Sequence, residues 1–261
     1  MKKVGIIGAG KIGGSLLLRL AESGGFDLGV SDIHPEQLRI FEAAGVRTTS
    51  SNCELAESSD LVIVAVKPWD VAAVMREISP AFENSNRAVT SVAAGVSIAR
   101  ISENLPEGTA VLRVMPNVCA SVGLGSAVVT SNEAGRAALP TVMDIFHHVG
   151  DVMELPERLF DAATALHGSG PAYVALFADA LIQAGVREGI PRDVARRLVI
   201  GTIGGTSVLL KERSAHQVRD EVMTPGGTTA AAFVAMEKAG FVAAVYDGVE
   251  AATEKARGLG G

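Results

Sequence analysis

The chain is poor in the residues that mark several large protein classes. Cysteines number two in 261 residues, Cys53 and Cys119, far apart and outside any CxxC pattern, so a disulfide framework or a zinc site has no support. The expectation is a protein of the reducing cytoplasm. Aromatic residues make up only 4% of the chain, which suits a tightly packed helix-rich α/β protein better than a β-sandwich. Lysine and arginine form no runs and the formal net charge is −6. No general attraction to nucleic acid or to an anionic membrane follows. Long apolar stretches are missing as well: the best candidate, after Pro171, carries Asp179 in its middle, and a span needs about 20 uninterrupted apolar residues. The start, Met1-Lys-Lys3 followed by "VGIIGAG", is too short, too glycine-rich and too soon broken by Lys11 to be a signal peptide. The five histidines show no HExxH spacing and no GxSxG elbow occurs, so a metalloenzyme or serine hydrolase is not supported and no metal site is expected.

What remains is a hydrophobic chain, 48% apolar with 29 glycines, long enough for two domains that each bury a core. From Lys3 to about Glu154, apolar runs ("KVGIIG", "FDLGVSD", "DLVIVAV", "AVTSVA", "AVLRVM", "SAVVTS") alternate with amphipathic segments. Near-continuous Val/Ile runs imply strands buried on both faces, hence a parallel sheet covered by helices, a Rossmann-type doubly wound α/β domain over residues 1–156. After Pro156 the β-branched runs stop. Residues 157–261 read as an all-helical domain punctuated by "HGSGP", "EGIPRD", "KERSAH", "TPGGTT" and "KAGF", with helices so apolar all round that packing against a second subunit is expected.

Gly8-Ala9-Gly10-Lys11-Ile12-Gly13 follows the first strand directly and opens a helix, the context that makes GxGxxG a dinucleotide signature. Gly8 permits the turn, Gly10 lets backbone approach a pyrophosphate, and Gly13 allows close strand-helix packing. Asp32 ends the second strand about 20 residues on, where a carboxylate binds the adenosine 2′-hydroxyl and repels a 2′-phosphate. Its other reading is a cap for the helix near Pro35. His34 and Arg39 beside it can meet a phosphate, so NADH and NADPH both stay open. Three further strand ends should line the same carboxyl edge: Ala65-Val66-Lys67-Pro68, the small residues Ala93-Ala94-Gly95, and Asn117 with its amide.

Two stretches of the helical half resemble anion-binding helix starts. In "ALHGSGPAY", Pro171 suits a first helical position with Ser169 and Gly170 as caps, and the free N–H groups favour a carboxylate. In "TPGGTT", Gly226 and Gly227 let backbone approach a ligand while Thr228 and Thr229 cap and present a hydroxyl.

Taken in order, "GIIGAGKIG", "AVKP", "SVAAGV", "RVMPN", "GSGPAY" and "TPGGTT" resemble the pyrroline-5-carboxylate reductase family over nearly the whole chain. The resemblance implies a Rossmann domain followed by a helical dimerisation domain, interlocked homodimers that can assemble into rings, and NAD(P)H-dependent reduction of a small cyclic imino acid, 1-pyrroline-5-carboxylate, to L-proline. It implies that Gly168, Ser169, Gly170, Gly226, Gly227, Thr228 and Thr229 hold the substrate. The Thr229 hydroxyl then faces the ring nitrogen, with Ser169 as the second catalytic candidate. Holding the imine carbon about 3 to 3.5 Å from the nicotinamide is most of the catalytic task.

Departures from the family pattern are His167 and Thr224 where serines are usual, Val118-Cys119 where Thr-Pro is usual, and Asp32 where a small polar or basic residue is usual. His167 can be a proton source, a partner orienting Ser169 or Thr229, or a half-buried helix-end histidine. Two other functions stay open: a reductase of a related, six-membered cyclic imino acid, and a non-catalytic dinucleotide sensor. A β-hydroxyacid dehydrogenase, which needs a lysine after its central glycine motif, is disfavoured because no lysine occurs from Leu159 to Leu210.

Overall fold

The strand-helix alternation of the first half builds one eight-stranded sheet. The structure, a computed structural model, describes residues 1–258. Residues 259–261 lie outside the described residues. In chain order the sheet half contains β1 (Lys2–Ile7), α1 (Lys11–Ser23), β2 (Phe26–Ser31), α2 (Pro35–Ala43), β3 (Arg47–Thr49), α3 (Asn52–Glu57), β4 (Leu61–Val64), α4 (Val71–Ile78) and β5 (Ala88–Ser91). It continues with α5 (Ile98–Ser102), β6 (Ala110–Pro116), β7 (Gly125–Ser131), α6 (Leu139–His147) and β8 (Gly150–Glu154). The strand order is β3-β2-β1-β4-β5-β6-β7-β8. All neighbours are parallel except β6 and β7, which pair antiparallel.

Side-chain alternation explains why the central runs are apolar throughout. Leu61 and Ile63 join the core under α1, α2 and α6, whereas Val62 and Val64 join the core under α3, α4 and α5. Successive residues point to opposite faces, and both faces are covered. β3 and β8 escaped the sequence reading because they are edge strands. β3 has three residues, and β8 buries only Val152 among Asp151, Met153 and Glu154, so neither shows an apolar run. The reversal at β7 was equally hidden, since Ala127 to Thr130 are buried on both faces and read like the parallel strands beside them.

By its contacts the described chain forms two compact units: Met1–Ser169 with the end of the last helix from Ala252, and Gly170–Ala251. Helices α7 (Phe160–Ala163), α8 (Gly170–Arg187), α9 (Arg192–Glu212), α10 (Ala215–Val222), α11 (Thr228–Lys238) and α12 (Phe241–Arg257) follow β8. Within the second unit α8 and α9 form a helical hairpin, turned at Gly189 (φ +92°); a Cβ on Gly185 would lie 3.3 Å from that of Ala195. Phe177 of α8 packs on Phe241 of α12, ring centroids 5.9 Å apart. Among the described residues of this unit only Ala178 and Ala195 are buried. Leu176, Leu198, Val208 and Tyr246 stand exposed, far more apolar surface than a lone chain keeps. No single described helix is long and apolar enough to cross a membrane, although α11 and α12 together, bent by 52°, meet the length and composition criteria.

Candidate functional site

The carboxyl edge of the parallel strands carries the first group of candidate residues. Gly8 takes φ +99° directly after β1, and a Cβ there would lie 2.8 Å from the Ala65 carbonyl oxygen. Gly13 is held against the Gly8 carbonyl, leaving no room for a side chain. A Cβ on Gly10, by contrast, would meet nothing within 4 Å. Gly10 is the N-cap of α1 and no side chain caps it, so the first amides of α1, from Lys11, open onto unfilled space. Two of the glycines are required by packing and one by access, the division of labour a pyrophosphate cradle needs. The residues present therefore fit a dinucleotide.

Asp32 follows β2 and has a larger role than expected. Its Oδ2 accepts a hydrogen bond from the Ala9 amide at 2.7 Å, and its Oδ1 accepts one from the His34 amide at 2.8 Å. The carboxylate thus braces the glycine loop and the approach to α2 together. Across β1, the Ala65 amide donates to the Ile7 carbonyl at 2.7 Å, fixing Ala65 and Val66 beside the loop. Lys67 is exposed, and Pro68 opens a single 3-10 turn ahead of α4. Ala93 is tied by its amide to Ser91 Oγ at 3.2 Å, and Gly95 takes φ +74°.

Asn117 does not offer the free amide expected of it. Its Oδ1 accepts from the Cys119 and Ser126 amides, each at 3.2 Å, and its Nδ2 donates to the His167 carbonyl at 3.0 Å. The turn after β6 needs a cap, and this side chain supplies it.

The stretch from His167 to Pro171 is the main correction. It was read as a helix start with Ser169 and Gly170 as caps. Helical backbone instead runs on from α7 through a π-turn, Thr164–Gly168, into α8. Ser169 is helical (φ −84°, ψ −21°) and its amide donates to the Thr164 carbonyl, five residues back, at 3.0 Å. The Ser169 amide is thus not free. Pro171 has no N–H to give the carbonyl four residues earlier, that of His167; this is the oxygen that Asn117 serves. The His167 ring is not bonded to the Ser169 hydroxyl: Nδ1 lies 2.6 Å from the Ala163 carbonyl oxygen and Nε2 2.8 Å from that of Met115.

"TPGGTT", in the second unit, is a true helix start. Gly226 takes φ +69° and Gly227 is the N-cap of α11, with no side-chain cap. Thr228 and Thr229 were expected to cap, but they are the first two residues of α11. The Gly227 amide donates to the Thr224 carbonyl at 3.0 Å; no side chain caps the amides at the start of α11, where the helix dipole favours an anion. A Cβ on Gly227 would collide with Thr224 Oγ1, so glycine is required.

Sequence reasoning passed over Arg113 and Glu157. Arg113, only 5% exposed on β6, pairs with Glu157 Oε1 at 3.1 Å and lies over the Phe160 ring, 4.7 Å from its centroid. Glu157 also accepts the Ile98 amide at 2.8 Å. An arginine inside the apolar run "AVLRVM" was the available signal, since a buried charge demands a partner.

Comparison with known proteins agrees with these observations. Residues 157–259 match the family model described as pyrroline-5-carboxylate reductase dimerisation, and residues 3–95 match one described as NADP oxidoreductase coenzyme F420-dependent. The chain is 37% identical to the pyrroline-5-carboxylate reductase of Synechocystis sp., covering 99% of this chain and 98% of that one. Among solved structures, a pyrroline-5-carboxylate reductase from Coxiella burnetii superposes with a TM-score of 0.94 at 30% identity (99% and 98% covered). The Plasmodium falciparum pyrroline carboxylate reductase with NADP bound gives 0.87 at 32% (100% and 98%). The chain belongs to the pyrroline-5-carboxylate reductase family.

Proposed function

We propose that this protein reduces 1-pyrroline-5-carboxylate to L-proline with NAD(P)H. The observation that carries the reading is the presence of two helix starts capped by glycine alone, at Gly10 and at Gly227. Each leaves backbone amides for an anion, the pyrophosphate at the first and the substrate carboxylate at the second. When bound, the dinucleotide supplies the hydride that saturates the imine carbon, and the ring nitrogen keeps its proton as an amine. Residues of the chain orient the reactants. Gly226, Gly227 and Thr228 hold the carboxylate, and the Thr229 hydroxyl hydrogen-bonds the ring nitrogen and steadies its proton. Gly168, at the end of the π-turn, and Ser169 and Gly170, just after it, line the substrate rather than serving as a cap. Ala65 to Pro68 and Ala93 to Gly95 border the dinucleotide with small or backbone groups, while Asn117 acts by shaping the turn after β6.

Asp32 tips the preference toward NADH, because its carboxylate faces the position of a 2′-phosphate with like charge. The exposed apolar side chains of the second unit support a homodimer, built through residues 157–261, as the working form. Rings of dimers would show as larger species. The free cysteines and net charge of −6 fit a cytoplasmic enzyme with no membrane or nucleic-acid partner.

Oxidation of NADH and NADPH, followed in parallel with the five- and six-membered cyclic imino acids, tests the reading. Turnover with the five-membered ring is expected. Silence with every combination sinks it, and a preference for the larger ring moves the substrate to the related reductases.

A further inference from the structure

Both ring nitrogens of His167 face backbone carbonyls, not the side-chain hydroxyl that a direct orienting bond to Ser169 would need. We infer that His167 is a positioning residue, fastening the widened helical turn that ends in Ser169 to the end of strand β6. The inference rests on the reductase reading, which makes the placement of Ser169 matter.

Three contacts build the latch. Nε2 faces the Met115 carbonyl oxygen at 2.8 Å, Nδ1 faces the Ala163 carbonyl oxygen at 2.6 Å, and the residue's own carbonyl accepts from Asn117 Nδ2 at 3.0 Å. Met115 and Asn117 flank the end of β6, and Ala163 immediately precedes the π-turn. The side chain and the main chain of one residue therefore both tie the turn to the strand. Steric fit adds a fourth tie: a Cβ on Gly168 would lie 3.1 Å from Met115 Cε, so the turn is seated directly on that side chain.

The turn needs such support for a local reason. A π-turn wastes part of the helical hydrogen-bonding geometry, and Pro171 withholds an amide from the carbonyl of His167. Such wide turns persist when neighbouring structure supplies what the helix lacks. Here the supply comes from β6, the strand next to β5 at the edge where the dinucleotide is expected. Both ring nitrogens face acceptors, so each is placed to donate: the doubly protonated ring can serve both carbonyls and the neutral ring one. Neither nitrogen is turned toward a reacting group, which separates this role from that of a proton source.

The variants His167→Ser and His167→Gln test the latch against the wild-type protein, with folding checked by thermal unfolding. In His167→Ser, amide hydrogen exchange in the peptide covering 164–169 should accelerate at least tenfold while β1 and α1 keep their protection. KM for 1-pyrroline-5-carboxylate should rise about tenfold, with kcat falling less than tenfold and KM for the dinucleotide unchanged. His167→Gln, whose amide can still donate to one carbonyl, should recover most of the KM. A hundredfold loss of kcat at constant KM would make the ring a catalytic donor and overturn the inference. Unchanged exchange in His167→Ser would overturn it as well, whatever the kinetics. A wild-type protein that folds but reduces no cyclic imine removes the reaction the latch serves, and the inference with it. That outcome is read before any variant is made, so the two failures cannot be confused.

Discussion

The carboxylate of Asp32 accepts the amide hydrogen of Ala9, at 2.7 Å, across the gap between the end of β2 and the glycine loop. The side chain proposed to set cofactor choice thus also holds the loop. Asp32→Ser should raise the NADPH-to-NADH ratio of kcat/KM about tenfold or more by removing like charge from the 2′-phosphate position. It should also cost about 1 kcal/mol in stability, because the amides of Ala9 and His34 lose one partner between them. Parallel kinetics and urea unfolding measure the two effects; an unchanged ratio would remove the discriminating role.

Thr229 lies in the first turn of α11, where its hydroxyl is assigned to the ring nitrogen. Thr229→Val, which keeps shape and removes the hydroxyl, should lower kcat by about 10²-fold, in the range of a lost acid-base group. Thr229→Ser should stay within a few-fold of wild type. Equal kcat in all three would leave the hydroxyl without a chemical part.

Gly227→Ala drives a methyl group into Thr224 Oγ1. The expected result is a loss of about 1–3 kcal/mol from overpacking together with a raised KM for the imino acid and an unaltered KM for the dinucleotide. Adding Thr224→Ala should recover part of the stability, a rescue that only this collision predicts; calorimetry on the single and double variants reads it.

Glu157→Ala leaves the guanidinium of Arg113 buried without its partner and the Ile98 amide without its acceptor. Arg113 is buried while Glu157 is partly exposed, so the cost should lie between that of a surface bridge and that of a buried pair, about 1–3 kcal/mol, and the urea midpoint should fall below wild type. A loss under about 0.5 kcal/mol would place the pair with idle surface bridges.

Burial pushes the Cys53 thiol up, and the Glu77 and Glu57 carboxylates push it further; the thiol also donates to the Glu77 carbonyl at 3.1 Å. Thiolate is the reactive form. Alkylation of Cys53 by iodoacetamide, followed by mass spectrometry, should therefore be slower at neutral pH than that of a free small thiol and climb only in alkaline solution. Rapid labelling at neutral pH would contradict this environment.

Local necessity decides which of these features the sequence announces. Gly8, Gly10 and Gly13 were readable because they form one spaced motif after a strand, although a side chain meets backbone at only two of them and nothing within 4 Å at Gly10. The core strands were readable because both faces are apolar. "HGSGP" misled for the same reason in reverse: glycine, serine and proline together read as a helix break, yet the His167 carbonyl that the helix leaves without an amide is served by Asn117, and the His167 ring is seated on the Met115 carbonyl, about 50 residues earlier in the chain. No local pattern can carry such partners. Arg113 was visible but unassigned until Glu157 and Phe160 came into view beside it. The extra strands, β3 and β8, lie at the sheet edges where pairing on one side suffices and apolar residues are not demanded.

The boundary between the two compact units is crossed twice, once between Ser169 and Gly170 and once between Ala251 and Ala252. Both crossings lie within helical backbone, the first where the π-turn meets α8 and the second inside α12. A protease seeking an extended linker finds none at either place. The halves of this molecule are thus not modules that evolution or an engineer could trade by cutting at a loop; exchanging either one means respecting the register of two helices at once.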